Sequence, residues 1–268
     1  MSFDYSSQTV LITGASSGIG SRFATALAER GASLVLVARR LDRLAALAAD
    51  LRLAHGVSVE VIPADLTSPT AGPELLTETD QRGIRVTSLI NNAGFGTFGP
   101  FIEEDLARLA DEIAVDITAP VSLSRVFIPE LQKKGDGFLI NVASMAAYTP
   151  APRMAVYAAA KAFVLSFTEA LWGEMRGSGI TIFALSPGAT STEFNSVVGT
   201  DDATAGAKMR TPDDVVATAL KHLESRNPGP SVIDGATNRI GATVGRIPSR
   251  RISVTMMNRL TDPARRAK

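Results

Sequence analysis

The chain has 268 residues, no cysteine, two histidines (His55 and His222) and 27 Lys+Arg against 27 Asp+Glu, so its formal net charge is zero. With 45% hydrophobic and 20% charged residues it can bury a full core and is not globally disordered. The composition excludes a disulfide framework, a thiolate nucleophile and thiolate-held metal, and it disfavours a histidine metal cluster, a Ser-His-Asp triad and a whole-chain nucleic-acid surface. The first residues lack a basic stretch followed by an apolar one, and no apolar run approaches the ~18–20 residues of a membrane span. The expectation is a soluble, cytoplasmic protein.

Short β-branched runs alternate with longer helical patterns. Strands are predicted over 10–13, 34–38, 57–62, 86–91, 138–143 and 180–185, with a short last strand over 232–234. Helices are predicted over 21–30, 42–54, within 103–131, over 154–176 and over 212–225, the last with Pro212 at its first turn. Alternation of this kind predicts an α/β fold: a doubly wound parallel sheet of about seven strands, covered by helices on both faces, with its ligand crevice at the carboxyl ends of the strands. No linker interrupts the body, so one domain is expected over 1–236, followed by an extension over 237–268.

The first strand runs into Thr13-Gly14-Ala15-Ser16-Ser17-Gly18-Ile19-Gly20. Glycines at 14, 18 and 20 permit a tight turn and close backbone approach, and the helix that follows offers unpaired N–H groups to a diphosphate. No Lys-[Ser/Thr] follows, which excludes a nucleoside-triphosphate loop. At the end of the second strand, where NAD binders place an acid on the ribose hydroxyl, the chain has Ala38-Arg39-Arg40. A carboxylate would repel a 2′-phosphate and a guanidinium can grip it, so NADP(H) is the expected cofactor, with NAD(H) as the alternative. Asp65, followed by Leu66, is placed either to accept from an adenine amine or to serve as a turn or helix-cap residue. Ser144 ends the fifth strand, and Tyr157 and Lys161 follow on one helix face at i,i+4 spacing. Chance alone would give a Tyr-x3-Lys about 0.07 times in a chain of this composition.

At these residues the chain resembles the short-chain dehydrogenase/reductase family, in its compact branch of ~250 residues. The matching elements are Thr13-Gly14-x3-Gly18-Ile19-Gly20, Asn91-Asn92-Ala93-Gly94, Ser144, Tyr157-x3-Lys161 and Pro187-Gly188-x3-Thr192, between about Thr9 and Asp234. The resemblance implies a carbonyl reductase or alcohol dehydrogenase in which Tyr157 is the general acid/base, Lys161 lowers its pKa and holds the nicotinamide ribose, and Ser144 orients the substrate oxygen. It implies cofactor contacts from Gly14, Ser16, Ser17, Gly18, Ile19, Gly20, Arg39 and Arg40. Further contacts are implied from Asp65, Leu66, Asn91, Asn92, Ala93 and Gly94, and from Pro187, Gly188, Thr190 and Thr192. It also implies a homodimer or homotetramer.

One position departs from the pattern. The family's usual asparagine before the fifth strand, thought to act through a backbone carbonyl that holds a relay water, is Asp116 here. Pro120 has no N–H to give the Asp116 carbonyl, so activity is expected to survive the change. A non-catalytic or weakly active dinucleotide-binding regulatory protein is the alternative that Asp116 keeps open, and a membrane-surface scaffold is a third.

Three loops, over 95–101, 145–154 and 190–210, are expected to wall the substrate pocket with Phe95, Phe98, Phe101, Met145, Tyr148, Met154, Phe194, Val197 and Val198, a lining suited to an apolar carbonyl or alcohol. Arg153 and Arg210 are the basic residues in reach. From Arg239 to Lys268 there are eight basic residues and one acid. In that stretch Ile252, Met256 and Leu260 form one helical stripe, surrounded by Arg250, Arg251, Arg259, Arg265 and Arg266. Such a segment suits docking on the acidic body or a sister subunit, peripheral contact with an anionic membrane, or disorder.

Overall fold

Four- to six-residue apolar runs rich in Val, Ile and Leu are the natural central strands of a parallel sheet, because both faces are covered. The computed structural model describes residues 3–200, 207–245 and 248–262. In chain order the elements are β1 (Thr9–Thr13), α1 (Gly18–Ala28), β2 (Ser33–Ala38), α2 (Leu41–His55), β3 (Val59–Pro63), α3 (Ala71–Gln81), β4 (Ser88–Asn91), α4 (Leu106–Ile113) and α5 (Ala119–Lys134). They continue with β5 (Phe138–Val142), α6 (Ala155–Glu174), β6 (Thr181–Ser186), α7 (Phe194–Val198), α8 (Pro212–Leu223), β7 (Ser231–Ile233), α9 (Ala236–Val244) and α10 (Arg250–Leu260). The seven strands form one parallel sheet in the order β3-β2-β1-β4-β5-β6-β7.

Side chains alternate across the sheet. Val10, Ile12, Leu34, Leu36 and Phe183 face a layer holding Phe23, Leu27, Val215 and Leu220. Leu11, Val35, Leu89 and Leu139 face Leu75, Leu123, Phe127 and Leu131. The order reverses between β1 and β4, so the crevice opens where β1, β4 and β5 end.

Several regions differ from the sequence expectation, among them α7 in the expected loop 190–210 and α9 after the last strand. Helix α3 was not anticipated. It buries Ala71, Gly72, Leu75 and Thr79, small or polar residues that carry little apolar periodicity. Gly72 permits the approach to α5, since a Cβ there would fall 2.3 Å from Ser122 Oγ. The stretch 103–131 is not one helix. A 3-10 turn (Phe101–Glu103) precedes α4, and a π-helical turn over Ala114–Thr118 joins α4 to α5, closed by a bond from Ala119 N–H to the Ala114 carbonyl. Pro120 explains the bulge, because it can serve neither the α-type acceptor Asp116 nor the π-type acceptor Val115.

The chain after β7 packs back on the body. Ser253 and Thr261 of this segment are buried, whereas Ile252, Met256 and Leu260 point outward at 58%, 52% and 45% exposure. The segment thus docks through Ser253, Met257 and Thr261, and the apolar stripe read from the sequence faces away. Arg265 and Arg266 lie outside the described residues.

Candidate active site

The glycine loop leaves β1 with positive φ at Gly14 and Gly18, +65° and +57°. A Cβ on Gly14 would lie 2.8 Å from Asn92 Nδ2, and one on Gly18 would lie 3.0 Å from Thr192 Cγ2. Both positions therefore require glycine for conformation and for space. Asn92 ties the loop down by donating from Nδ2 to the carbonyls of Thr13 (2.9 Å) and Gly14 (3.3 Å). Helix α1 begins at Gly18 with no side-chain cap and no acid in its first turn. Its leading N–H groups are thus presented to an anion. Gly20 does not face the cavity; it packs under the loop, where a Cβ would meet the Gly14 carbonyl oxygen at 2.4 Å.

Arg40 reaches back over this loop, donating to Ser16 Oγ (3.1 Å) and Ser17 Oγ (3.0 Å) and to Glu193 Oε2 (2.9 Å). Arg43 pairs with the other oxygen of Glu193, and the two guanidinium donors, Arg43 then Arg40, hold that carboxyl below its usual range. Neither Glu193 nor Arg43 stands out in the sequence, where both read as solvated surface charges. Arg39 is exposed at the same end of the cavity. Asp65 accepts the Thr67 N–H at 3.1 Å; it is a turn residue on the cavity wall rather than the cap of α3, which starts at Ala71.

At the other end of the cavity, the β5 terminus and α6 bring Ser144, Tyr157 and Lys161 together on one wall. Ser144 caps a 3-10 turn (Met145–Tyr148) by accepting the Ala146 N–H at 3.1 Å. The Tyr157 ring packs on Phe194, with centroids 5.3 Å apart, and over Gly96, where a Cβ would fall 3.1 Å away. Lys161 Nζ lies 5.6 Å from the Tyr157 ring centre. It donates to the Val142 carbonyl at 3.3 Å and pairs with Asp116 Oδ2 at 2.9 Å. Asp116 is completely buried, and its Oδ1 accepts the Phe95 N–H at 3.1 Å. It does not reach the cavity but stands behind Gly94, where a Cβ would touch both Asp116 and Lys161 at 2.9 Å.

Burial drives these groups. It pushes the Asp116 carboxyl up, against the pull of Lys161. It opposes the Lys161 charge too, and most strongly, but Asp116, Tyr157 and Glu112 together outweigh it and hold the ammonium above its usual value. Burial also raises the Tyr157 phenol; Lys161 and Ser144 counter this, while Asp116 and Glu112 add to it. Lys161 thus acts in the lowering direction expected from the sequence, but burial outweighs it, and the protein's own groups keep the phenol protonated.

The sequence matches the short chain dehydrogenase model over residues 8–203. The chain belongs to the short chain dehydrogenase family. It is 31% identical to a short chain dehydrogenase of Pseudocercospora fijiensis, over 80% of this chain and 65% of that one. It is 30% identical to 17-beta-hydroxysteroid dehydrogenase type 3 of Homo sapiens, over 81% of this chain and 68% of that one. A short-chain dehydrogenase from Sphingobium yanoikuyae, solved in complex with NADPH, superposes with a TM-score of 0.79 at 36% identity, covering 89% of this chain and 93% of that one.

The cavity of this short chain dehydrogenase holds about 780 Å³. Leu66, Asn92, Ala93, Gly94, Pro187, Gly188 and Thr190 line it, with Thr192 against Gly18 of the glycine loop. Asn91 does not line it. Its Nδ2 donates to Asn141 Oδ1 at 2.8 Å, which ties β4 to β5 beneath the site. Of the expected apolar lining, Phe95, Met145, Met154, Phe194 and Val197 are present. Phe98 instead packs among Ala151, Met154 and Ala158, and Phe101 is 63% exposed. The Tyr148 hydroxyl meets Ser186 Oγ at 3.4 Å, and Val198 does not face the cavity. Val115, Asn238, Met257 and Thr261 line it unforeseen. Three of these come from the segment after β7, whose packing periodicity alone could not reveal.

Neither flagged arginine is a free substrate handle. Arg210 grips Asp234 with two donors, at 2.8 and 2.9 Å. Arg153, the one non-glycine residue with positive φ among the described residues, pairs with Asp262 at 3.3 Å and donates to Asn258 Oδ1 at 3.1 Å. It thereby pins α10 to the pocket rim.

Proposed function

We propose that the protein is an NADP(H)-dependent oxidoreductase that interconverts a carbonyl and an alcohol on a largely apolar substrate. The observation that carries this reading is the meeting of Ser144, Tyr157 and Lys161 on the wall of a cavity whose far end is the glycine loop. A nicotinamide cofactor bound there supplies or takes up the hydride. The Tyr157 hydroxyl gives its proton to the substrate oxygen in reduction and takes one in oxidation. Ser144 donates a hydrogen bond to that oxygen as charge develops on it. The Lys161 ammonium, held by Asp116 and the Val142 carbonyl, stabilises the phenolate left behind. Phe95, Met145, Met154, Phe194 and Met257 keep the reacting end dry. The test is turnover of NADPH against a panel of ketones and aldehydes, read at the nicotinamide absorbance. Absence of turnover on every carbonyl, with intact NADPH binding, would favour the regulatory alternative.

The preference for NADP(H) rests on Arg40 beside Ser16 and on Arg39 at the cavity wall, with no acid at the end of β2. A guanidinium–phosphate contact contributes about 1.5–3 kcal/mol. Arg39→Ala with Arg40→Ala is therefore expected to raise KM for NADPH by about 10- to 100-fold and leave KM for NADH within about threefold. Equal losses with both cofactors would show that the arginines only shape the loop.

Among the described residues, no helix is long and apolar enough to cross a membrane. The outward stripe Ile252, Met256 and Leu260, flanked by Arg250, Arg251 and Arg259, suits contact with an anionic bilayer or a sister subunit. Salt-sensitive binding to anionic vesicles identifies the first; a homo-oligomer split by Met256→Glu identifies the second.

A further inference from the structure

The loop after β6 brings a carboxylate to the arginines that follow β2. Thr192 packs on Gly18, and Glu193 comes next, at the start of α7, where its carbonyl accepts the Val197 N–H at 3.0 Å. Glu193 lines the cavity. One of its carboxylate oxygens takes Arg40 Nη1 at 2.9 Å, and the other pairs with Arg43, in the first turn of α2. Arg40 spends its remaining donors, Nε and Nη2, on Ser16 Oγ and Ser17 Oγ. An anion is thus already seated between two guanidinium groups at the edge of the glycine loop.

This carboxylate is not the one an NAD binder places on the ribose, because β2 ends in Ala38 and Glu193 arrives from a different strand end. Its partners are cations, and that decides how it meets each cofactor. A ribose 2′-hydroxyl is neutral and leaves the pairing in place. A 2′-phosphate carries about −1.5 to −2 charges at neutral pH and seeks the same donors. A carboxylate left beside it would repel it. All three side chains are 39–45% exposed, so the ion pairs are weak and can be exchanged.

We propose that Glu193 sets the margin of cofactor preference by competing with the 2′-phosphate for Arg40 and Arg43. It leaves both guanidinium groups when NADP(H) seats and stays on them when NAD(H) binds. The inference rests on the reading that Arg40 receives the 2′-phosphate, and it adds Arg43 as a second recipient. Glu193 thereby narrows the advantage that the arginines give to NADP(H).

Calorimetric titration with adenosine 2′,5′-bisphosphate and with adenosine 5′-monophosphate tests this, since the two differ only in the 2′-phosphate and neither carries a nicotinamide. Glu193→Gln keeps the size of the side chain and removes its charge. An exposed ion pair counts for up to about fivefold in affinity. The variant is therefore expected to bind the bisphosphate about three- to tenfold tighter and the monophosphate within about twofold of wild type. In an Arg40→Ala background, where less positive charge offsets the carboxylate, Glu193→Gln should recover part of the lost bisphosphate affinity. Adding Arg43→Ala to Glu193→Gln should weaken the bisphosphate about fivefold, and no loss there would strike Arg43 from the site.

Bisphosphate binding that is unchanged or weaker in Glu193→Gln overturns the competition, because the carboxylate would then position the arginines. Equal tightening of both nucleotides overturns it too. If the variant fails to fold, the wild-type protein decides: the carbon-13 signal of the Glu193 carboxylate should shift on adding the bisphosphate and not the monophosphate, and any other pattern overturns the proposal. A wild-type protein that binds the two nucleotides equally, with or without Arg40, removes the NADP(H) reading itself. Strong, Arg40-dependent bisphosphate binding that Glu193→Gln fails to improve removes this inference alone.

Discussion

Tyr157→Phe should lower kcat for carbonyl reduction by about 10²- to 10⁴-fold, the usual contribution of a positioned general acid, with NADPH binding close to wild type. The ring makes the packing contacts, on Phe194 and above Gly96, and phenylalanine keeps them. Only the hydroxyl is lost. A free tyrosine has a pKa of ~10, and in this protein burial raises it further. The phenol is therefore a protonated donor throughout the neutral range, and reduction should not lose rate through its ionisation until the pH is strongly alkaline. Oxidation needs the phenolate, so its rate should climb with pH over the same range. Stopped-flow nicotinamide absorbance in both directions checks the pair of profiles, and reduction that survives in Tyr157→Phe would show that another group supplies the proton.

Asp116→Ala should cost about 3–5 kcal/mol of folding stability, the penalty for stranding one member of a buried ion pair. Lys161 is 5% exposed, and the Val142 carbonyl is then its remaining described partner. The Phe95 N–H also loses its acceptor. For a chain of this size that loss corresponds to a melting temperature lower by roughly 10 °C. Lys161 should lose its raised pKa, because burial then acts on it without its main counter-charge. Asp116→Asn keeps an acceptor for Phe95 and a polar neighbour for Lys161, so it should fold nearly as well and remain active. Calorimetric melts of both variants check this. An Asp116→Ala protein that melts with wild type would mean that the pair contributes nothing, and a large rise in turnover for Asp116→Asn would mean that the buried charge handicaps Lys161.

The glycine loop and Ser144, Tyr157 and Lys161 were legible in the sequence because each is carried by local geometry: a strand-to-helix turn, a strand end, two positions on one helix face. The parallel sheet was legible because buried strands read as continuous apolar runs. Asp116 was visible as a departure, and Pro120 correctly announced a break in helical bonding, here a π turn. Helix α3 escaped because its buried side is made of Ala71, Gly72 and Thr79 with a single leucine. The burial of Glu112 escaped because an acid in a helix reads as a solvated face. The stripe of α10 misled for a related reason: hydrophobic spacing identifies an amphipathic helix but not which side meets the body. Ser253 and Thr261 are buried where Ile252 and Met256 are not.

Local order along the chain determined the fold class, the glycine loop and the placing of Ser144, Tyr157 and Lys161, since strand alternation, helical spacing and glycine conformations depend on neighbours within a few residues. Tertiary structure alone decided that α10 forms a wall of the cavity, that Glu193 clasps Arg40 and Arg43, and that Glu112 is buried. Those outcomes depend on which surfaces meet and how much water is excluded between them, and desolvation is a property of the assembled core that no stretch of sequence carries by itself.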